Sequence, residues 1–399
     1  LLVELPIAVP DPLWQIVADS RANTQPKKIE LVVGVYRDDD GHVPLFRAVH
    51  EAELVMAEAA RSRPYLGLSG DYEFTRAIAR LVLPSVPHEN MVEFQTVAGT
   101  GALRIIAELI HVAHPSARVL VGSPSYVNHV PIIRAAGLEV VDYRHVDAAG
   151  RVDLAAILDA IDVARRGDVI LLQGCCHNPT GTDLSPEQWQ QIAEHLQRKG
   201  VLPFIDQAYY GLGRGLDPDL EGTRLVVAAV PEAFVAVSGS KAFGLYSERV
   251  GCALVISQSG SDLTAIRTTL ENISRTSYSQ PPEHGARLVS TILGDHRLRA
   301  LWREELASMQ RRLSALRSTF TERLRDHGFA PEAADAVGEQ HGMFSMLPLT
   351  AAQMLALRTN HSVYGTNDGR INLAGLPVGR IDDLATAVVA VSTRSPTKV

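Results

Sequence analysis

The run Ala233-Phe234-Val235-Ala236-Val237-Ser238-Gly239-Ser240-Lys241-Ala242-Phe243-Gly244-Leu245-Tyr246-Ser247-Glu248-Arg249-Val250-Gly251-Cys252-Ala253-Leu254-Val255-Ile256 sets one lysine in a turn of small residues between two apolar segments. Both segments have the length and residue types of buried strands. The chain has five lysines, Lys27, Lys28, Lys199, Lys241 and Lys398, and only Lys241 lies mid-chain between buried elements. A lysine held out of water beside another cation loses proton affinity and becomes a usable amine nucleophile. Arg249 is the candidate cation. A Ser-x-x-Lys match alone is common by chance, so the rest of the chain decides.

Working outward, strand patterns recur at 118–122, 138–143, 168–173, 202–206, 233–237 and 252–256, with helical stretches between several of them. One helix opens at Ser185-Pro186-Glu187 and runs to Lys199 before Gly200. Alternation at this spacing predicts an α/β fold with a mostly parallel, wound central sheet flanked by helices. Ligands in such sheets gather beyond the carboxyl ends of the strands. The residues there are Ser123-Pro124-Ser125-Tyr126, His177-Asn178-Pro179-Thr180-Gly181, Asp206-Gln207-Ala208-Tyr209 and Ser238 to Lys241. Upstream, a strand at 92–97 runs into Ala98-Gly99-Thr100-Gly101 and then a helix, a geometry that presents backbone N–H groups to an anion. Neither a P-loop ending nor a third dinucleotide-type glycine is present.

Towards the N-terminus, a strand is expected over 29–33, a turn at Asp38-Asp39-Asp40-Gly41, an amphipathic helix over 45–63 and another over 72–83. Downstream, residues 285–325 read as one long helix with Arg297, Arg299, Arg303, Arg311, Arg312 and Arg317 on solvated faces. After Gly328 the texture changes to short apolar pieces and a final helix from Ile381, which predicts a smaller α+β domain. The expected organisation is a large domain over 44–305, a small domain over 11–43 plus 306–399, and an N-terminal arm over 1–10.

Composition narrows the function. Of 399 residues 46% are hydrophobic and 21% charged, a globular balance, and the net charge of −7 with no basic run speaks against nucleic acid. Cys175, Cys176 and Cys252 form neither a disulfide framework nor a zinc spacing, so no metal is expected and a reducing, cytoplasmic setting is. The opening Leu1-Leu2-Val3-Glu4-Leu5-Pro6 has no basic leader, so no signal peptide or membrane span is expected.

Four signals occur in one order: the anion-binding turn at 98–104, Asn178-Pro179-Thr180-Gly181, Asp206-x-Ala208-Tyr209, and Lys241 followed by Arg249. In this combination the sequence resembles the fold type I pyridoxal-phosphate-dependent aminotransferases, within them the aspartate and aromatic amino acid aminotransferases, from end to end. The resemblance implies that Lys241 holds pyridoxal 5'-phosphate as an internal Schiff base and shuttles a proton. It implies that Asp206 pairs with the pyridinium nitrogen, and that Tyr209 and Asn178 donate to the phenolic oxygen. Gly99, Thr100, Ser238 and Arg249 would hold the phosphate, with Tyr65 from a second subunit. Tyr126 would stack on the ring, where the family usually has Trp. Arg370 would clamp the substrate α-carboxylate, and Arg275 from the second subunit a distal carboxylate. Gly34, Trp14 and Asn178 would complete the substrate side.

The implied activity is transfer of an amino group between an acidic or aromatic L-amino acid and a 2-oxo acid, by a homodimer with shared sites. Further departures from the family are Trp14 in place of an aliphatic residue, Gly239 and Ala242 beside the lysine, and Ser277 and Gln280 near Arg275. They predict a reshaped substrate pocket. The same cofactor also supports elimination, replacement or carbon–carbon bond formation, and a non-catalytic binding protein on this fold is the third alternative.

Overall fold

The computed structural model describes Leu5 and residues 12–257 and 262–393; the arm expected over 1–10 lies, Leu5 apart, outside the described residues. The strands in chain order are β1 (Ile29–Glu30), β2 (Met91–Val97), β3 (Arg118–Ser123), β4 (Glu139–Arg144), β5 (Val169–Gln173), β6 (Leu202–Gln207), β7 (Glu232–Ser238), β8 (Val250–Ser257), β9 (Phe344–Met346), β10 (Val363–Tyr364) and β11 (Arg370–Asn372). By packing, the chain divides into a larger unit, Val43–Ser314 with Gln340–Gly342, and a smaller unit made of the residues up to His42, Ala315–Glu339 and those from Met343 on.

The larger unit is built on a seven-stranded sheet of order β2-β8-β7-β6-β5-β3-β4. Only β8 is reversed: it runs antiparallel to both β2 and β7, while β7, β6, β5, β3 and β4 pair in parallel. Every residue of β8 is buried, as expected for a strand covered on both faces. The helix Ala98–Ala113 packs Ala102, Leu103 and Ile106 into a cluster with Phe94, Val121, Phe204 and Ala253. Phe204 is fully buried, and truncating it to Ala would cost about 3–5 kcal/mol. The helix Pro186–Lys199 begins with a reciprocal cap, Ser185 Oγ accepting from Gln188 N and Gln188 Oε1 from Ser185 N, and ends on Gly200 at φ 66°.

The smaller unit contains two two-stranded sheets, β1 parallel to β10 and β9 antiparallel to β11. Its core gathers Phe320, Leu324, Leu357, Ile371, Leu384 and Val388.

The structure corrects three expectations. The strand expected over 29–33 pairs only at Ile29 and Glu30, because the Glu30 carboxylate takes the N–H groups of Val32 and Val33 (2.8 and 3.1 Å). The long helix expected over 285–325 is two, Glu283–Gly294 and His296–Asp326, separated at Asp295. Asp295 is extended and its Oδ1 accepts from Leu298 N at 2.8 Å, so it caps a new helix. Arg317 is not solvated but buried, donating to Ser345 Oγ, to Phe344 O at 2.9 Å and to Val337 O at 3.4 Å. Among the described residues no helix is long and apolar enough to cross a membrane.

Candidate active site

In the larger unit the predicted residues fall at or just beyond the carboxyl ends of neighbouring parallel strands: Tyr126 after β3, Asn178 after β5, Asp206 in β6 with Tyr209 after it, and Ser238 at the end of β7 with Lys241 after it. Parallel register therefore delivers chemically unlike side chains to one edge of the sheet.

Asp206 is only 6% exposed. Its Oδ2 meets His129 Nε2 at 3.0 Å, whereas Oδ1 is buried with no hydrogen-bond partner among the described residues. His129 is itself buried, and its Nδ1 lies 2.7 Å from Ser125 Oγ. With Nε2–H donating to the carboxylate, Nδ1 accepts from the serine hydroxyl, and the two bonds fix ring and tautomer. A carboxylate oxygen left bare in this setting is costly, and it is the geometry a cationic ring N–H requires.

The Lys241 Nζ sits over the Tyr209 ring, 4.8 Å from its centroid. Burial lowers the amine below the ordinary lysine value; the Asp206 charge opposes this and the Arg249 charge adds to it. Asn178 Nδ2 donates to Tyr209 Oη at 3.3 Å. Gln173 clamps the Asn178 backbone, accepting from its N–H at 2.8 Å and donating to its carbonyl at 2.9 Å.

The anion side is built where β2 meets its helix. The glycine-rich turn expected there is the first turn of the helix Ala98–Ala113, with Gly99, Thr100 and Gly101 at its N-terminus. A Cβ on Gly99 would lie 3.0 Å from Ser238 Cβ, so glycine lets the helix end close on the end of β7. Thr100 and Arg249 line one concavity of about 340 Å³. Arg249 is exposed, at φ 54°, with Nη1 donating to Tyr246 O at 2.9 Å.

Tyr126 is half-buried, edge-on to His129 (5.3 Å, 89°), and its Oη accepts from Asn128 Nδ2 at 2.9 Å. Burial raises its phenol above the ordinary value. Two expected pocket changes belong elsewhere. A Cβ on Gly239 would lie 2.6 Å from Val250 Cγ1, so this glycine serves the close approach of β8. Ala242 is fully buried; its carbonyl accepts from Trp302 Nε1 at 2.8 Å, beside the Phe243–Trp302 ring stack at 4.7 Å. Both small residues answer to packing.

Tyr65, 92% exposed, and Arg275, also exposed, make no hydrogen bond or ion pair to these cradle residues. Their segments are tied together by Gln280 Oε1 accepting from Leu66 N at 3.1 Å and Ser69 Oγ donating to Glu271 Oε1 at 2.8 Å. In the smaller unit, Arg370 is 6% exposed, donates to Val32 O at 2.9 Å and lies over the Phe344 ring at 4.8 Å. A Cβ on Gly34 would meet Phe344 Cζ at 2.8 Å, so only glycine admits that ring. Trp14 is 57% exposed on the helix Pro12–Ala22.

Sequence reasoning passed over His129 and His145, which stacks on His177 at 3.7 Å, and placed Ser125 at a strand end without giving it a role. The available signal was Ser125 and His129 one helical turn apart, just past a strand end.

This set fits pyridoxal phosphate: a bare buried carboxylate oxygen for the ring nitrogen, a half-buried amine of lowered proton affinity for the aldehyde, and a helix N-terminus with an arginine for the phosphate. The model for the family described as "Aminotransferase class I and II" matches residues 26–388. The chain is 43% identical to a tyrosine aminotransferase of Rhizobium meliloti over 94% of this chain and 96% of that one. It is 39% identical to an aspartate aminotransferase of Escherichia coli over 96% and 97%. The crystal structure of an aromatic-amino-acid aminotransferase from Burkholderia pseudomallei, covalently bound to pyridoxal phosphate, superposes with a TM-score of 0.95 at 37% identity over 98% of this chain and 99% of that one. A lysine, an acid and an anion cradle at the strand ends of a fold type I sheet, matched over this length, make the chain a member of the class I and II aminotransferases.

Proposed function

We infer that the protein transfers the amino group between an aromatic or acidic L-amino acid and a 2-oxo acid, with Lys241 as the reacting amine. The observation that carries this is the bare Oδ1 of Asp206 at the strand edge that also presents a half-buried lysine of lowered proton affinity. Bound pyridoxal phosphate supplies an electron-accepting ring that acidifies the substrate α-proton.

The residues of the chain do the rest. Asp206 Oδ1 accepts the ring N–H and keeps it protonated, while His129 holds the carboxylate in one orientation. Lys241 Nζ, its proton affinity lowered by burial, takes the α-proton and returns it to the neighbouring carbon. Tyr209 and Asn178 offer donors to the phenolic oxygen. The first-turn amides at 99–101, Ser238 Oγ and Arg249 hold the phosphate. Arg370 takes the substrate α-carboxylate. Tyr126 stacks on the ring, and Trp14, Gly34 and Asn178 shape the substrate's surroundings. The exposure of Tyr65 and Arg275 supports their service to a second copy, which makes the working form a homodimer, and three free cysteines support a reducing, cytoplasmic setting.

A single-turnover experiment tests this. The loaded enzyme, mixed with L-tyrosine or L-aspartate, should convert the cofactor to its amine form and release one equivalent of oxo acid, and Lys241→Ala should do neither. Return of the cofactor to its starting spectrum with release of ammonia would assign elimination instead. Mixing Lys241→Ala and Arg275→Ala protomers should yield hybrids with one intact site; no recovery would remove sharing between subunits.

A further inference from the structure

The larger unit carries a second concentration of positive charge, away from the strand ends. A groove of about 630 Å³ lies among the helices Tyr72–Val82, Leu216–Ala229, Glu283–Gly294 and His296–Asp326. Five arginines line it, Arg76, Arg80, Arg224, Arg299 and Arg303, against two acids, Glu73 and Asp217. The local balance is therefore +5 − 2 = +3, in a chain whose net charge is −7.

Four of the arginines form two pairs spaced one helical turn apart, 76/80 and 299/303, an arrangement that works against each helix unless an anion bridges it. Part of the groove is rigid. Arg224 donates Nε to Val82 O and Nη2 to Leu81 O, both at 3.0 Å. Arg224 and Arg303 share the Asp217 carboxylate, at 3.3 and 3.0 Å. The other part is unspent. Arg80 and Arg299 are exposed, and their guanidinium groups have no partner among the described residues. Arg76 lies over the Tyr72 ring at 4.9 Å, and its Nε is buried without a hydrogen-bond partner. Fixed and free guanidinium groups around one concavity make a multidentate anion receptor, because the planar fork matches phosphate oxygens in pairs. The volume is that of a small-molecule site.

We propose that this groove binds the di- or triphosphate chain of a small molecule, either pyrophosphate itself or a nucleotide. Charge selects the chain: three uncompensated positive charges match the three or more negative charges of a di- or triphosphate chain better than the roughly −1.5 to −2 of a monophosphate. A nucleotide would add its base, for which the exposed Tyr72 ring stands at the edge of the groove.

Isothermal titration of the cofactor-loaded enzyme with pyrophosphate, at about 0.15 M salt, should give a Kd of roughly 10–100 µM. Arg80→Gln/Arg299→Gln, which removes no contact of the fold, should weaken binding at least tenfold at unchanged melting temperature. Asp217→Asn should tighten it, by releasing Arg224 and Arg303 from their carboxylate, and this second variant keeps the test alive if the first is poorly folded. Adenosine triphosphate binding more tightly than pyrophosphate, with the surplus lost in Tyr72→Ala, assigns the nucleotide; equal or weaker binding assigns the bare chain. Sulfate binding as strongly as pyrophosphate, or variants that bind like the parent, would mean an adventitious ion only and overturn the proposal.

Discussion

Two buried aspartates of the larger unit are furnished in opposite ways. Asp219 accepts from the N–H groups of Gly211 and Gly213 on Oδ2 (2.8 and 2.9 Å) and of Arg214 on Oδ1 (2.8 Å), so both oxygens are satisfied by the turn it latches. Asp206 has one oxygen on His129 and the other bare. Both are almost wholly inaccessible, at 1% and 6%. Burial therefore does not separate architecture from function; the allotment of partners does. A satisfied carboxylate holds backbone in place; Asp183 Oδ2 is bare as well, so an open oxygen marks a ligand site only where, as at Asp206, a lysine stands at the same strand edge.

The largest test removes the bare acid. Asp206→Ala should lower turnover by about 10³–10⁴-fold while the melting temperature changes little, since relief of the bare buried oxygen is offset by the His129 Nε2–H left without its acceptor. Unchanged turnover with a lower melting temperature would reduce Asp206 to the standing of Asp219.

Next in size is a pH effect on the Asp219 side. Asp183 is pushed up to about 7, chiefly by burial and then by the Asp219 charge. Its folded value exceeds the unfolded one, so the stability it contributes is fully present below about pH 4 and is lost as pH rises through 7. The loss is up to about 4 kcal/mol. His145, lowered to about 4 by burial, has the opposite sign: its contribution is present above about 6.5 and lost as pH falls towards 4. Denaturant titrations from pH 4 to 7 should show Asp183→Asn gaining on the parent as pH rises. A pH-independent difference would sink the assignment.

Asp219→Asn should cost about 1–3 kcal/mol, by turning an amide donor onto backbone N–H groups, and leave the turnover of the folded fraction within about twofold. The smallest effect is expected for His129→Phe. Turnover should fall about tenfold with a shifted acid limb, because the carboxylate loses its orienting donor. A change in stability alone, with the pH profile unmoved, would make His129 a core residue.

These contrasts also mark what the sequence could show. The strand ends were legible because the apolar runs before Ser123, Gln173, Asp206 and Ser238 are continuous, and residues at such ends need no long-range knowledge to be singled out. The Lys241 and Asp206 neighbourhoods followed from that. What could not be read was pairing. The reversal of β8 leaves its apolar pattern unchanged, because a strand covered on both faces reads alike in either direction. Arg317 looked solvated because arginine usually is; its burial is met by Ser345 Oγ and the carbonyls of Val337 and Phe344. Ala242 looked like a pocket residue until Trp302, from a distant helix, was found on its carbonyl. The Asp295 break was legible in principle, since Gly294-Asp295 is a stop followed by a cap.

The reversed strand has one more implication. Because β8 returns beside β7, with Ser238 opposite Gly251, the amine at 241 and the guanidinium at 249 sit on a single hairpin connection anchored at both ends. A residue inserted or deleted between them would slide Arg249, the proposed phosphate anchor, without displacing Lys241, the proposed nucleophile. Cofactor retention and proton transfer are thus separable by editing one short loop, and enzymes that release their vitamin-derived group readily yet keep full chemistry at saturation could be made here by changing spacing alone.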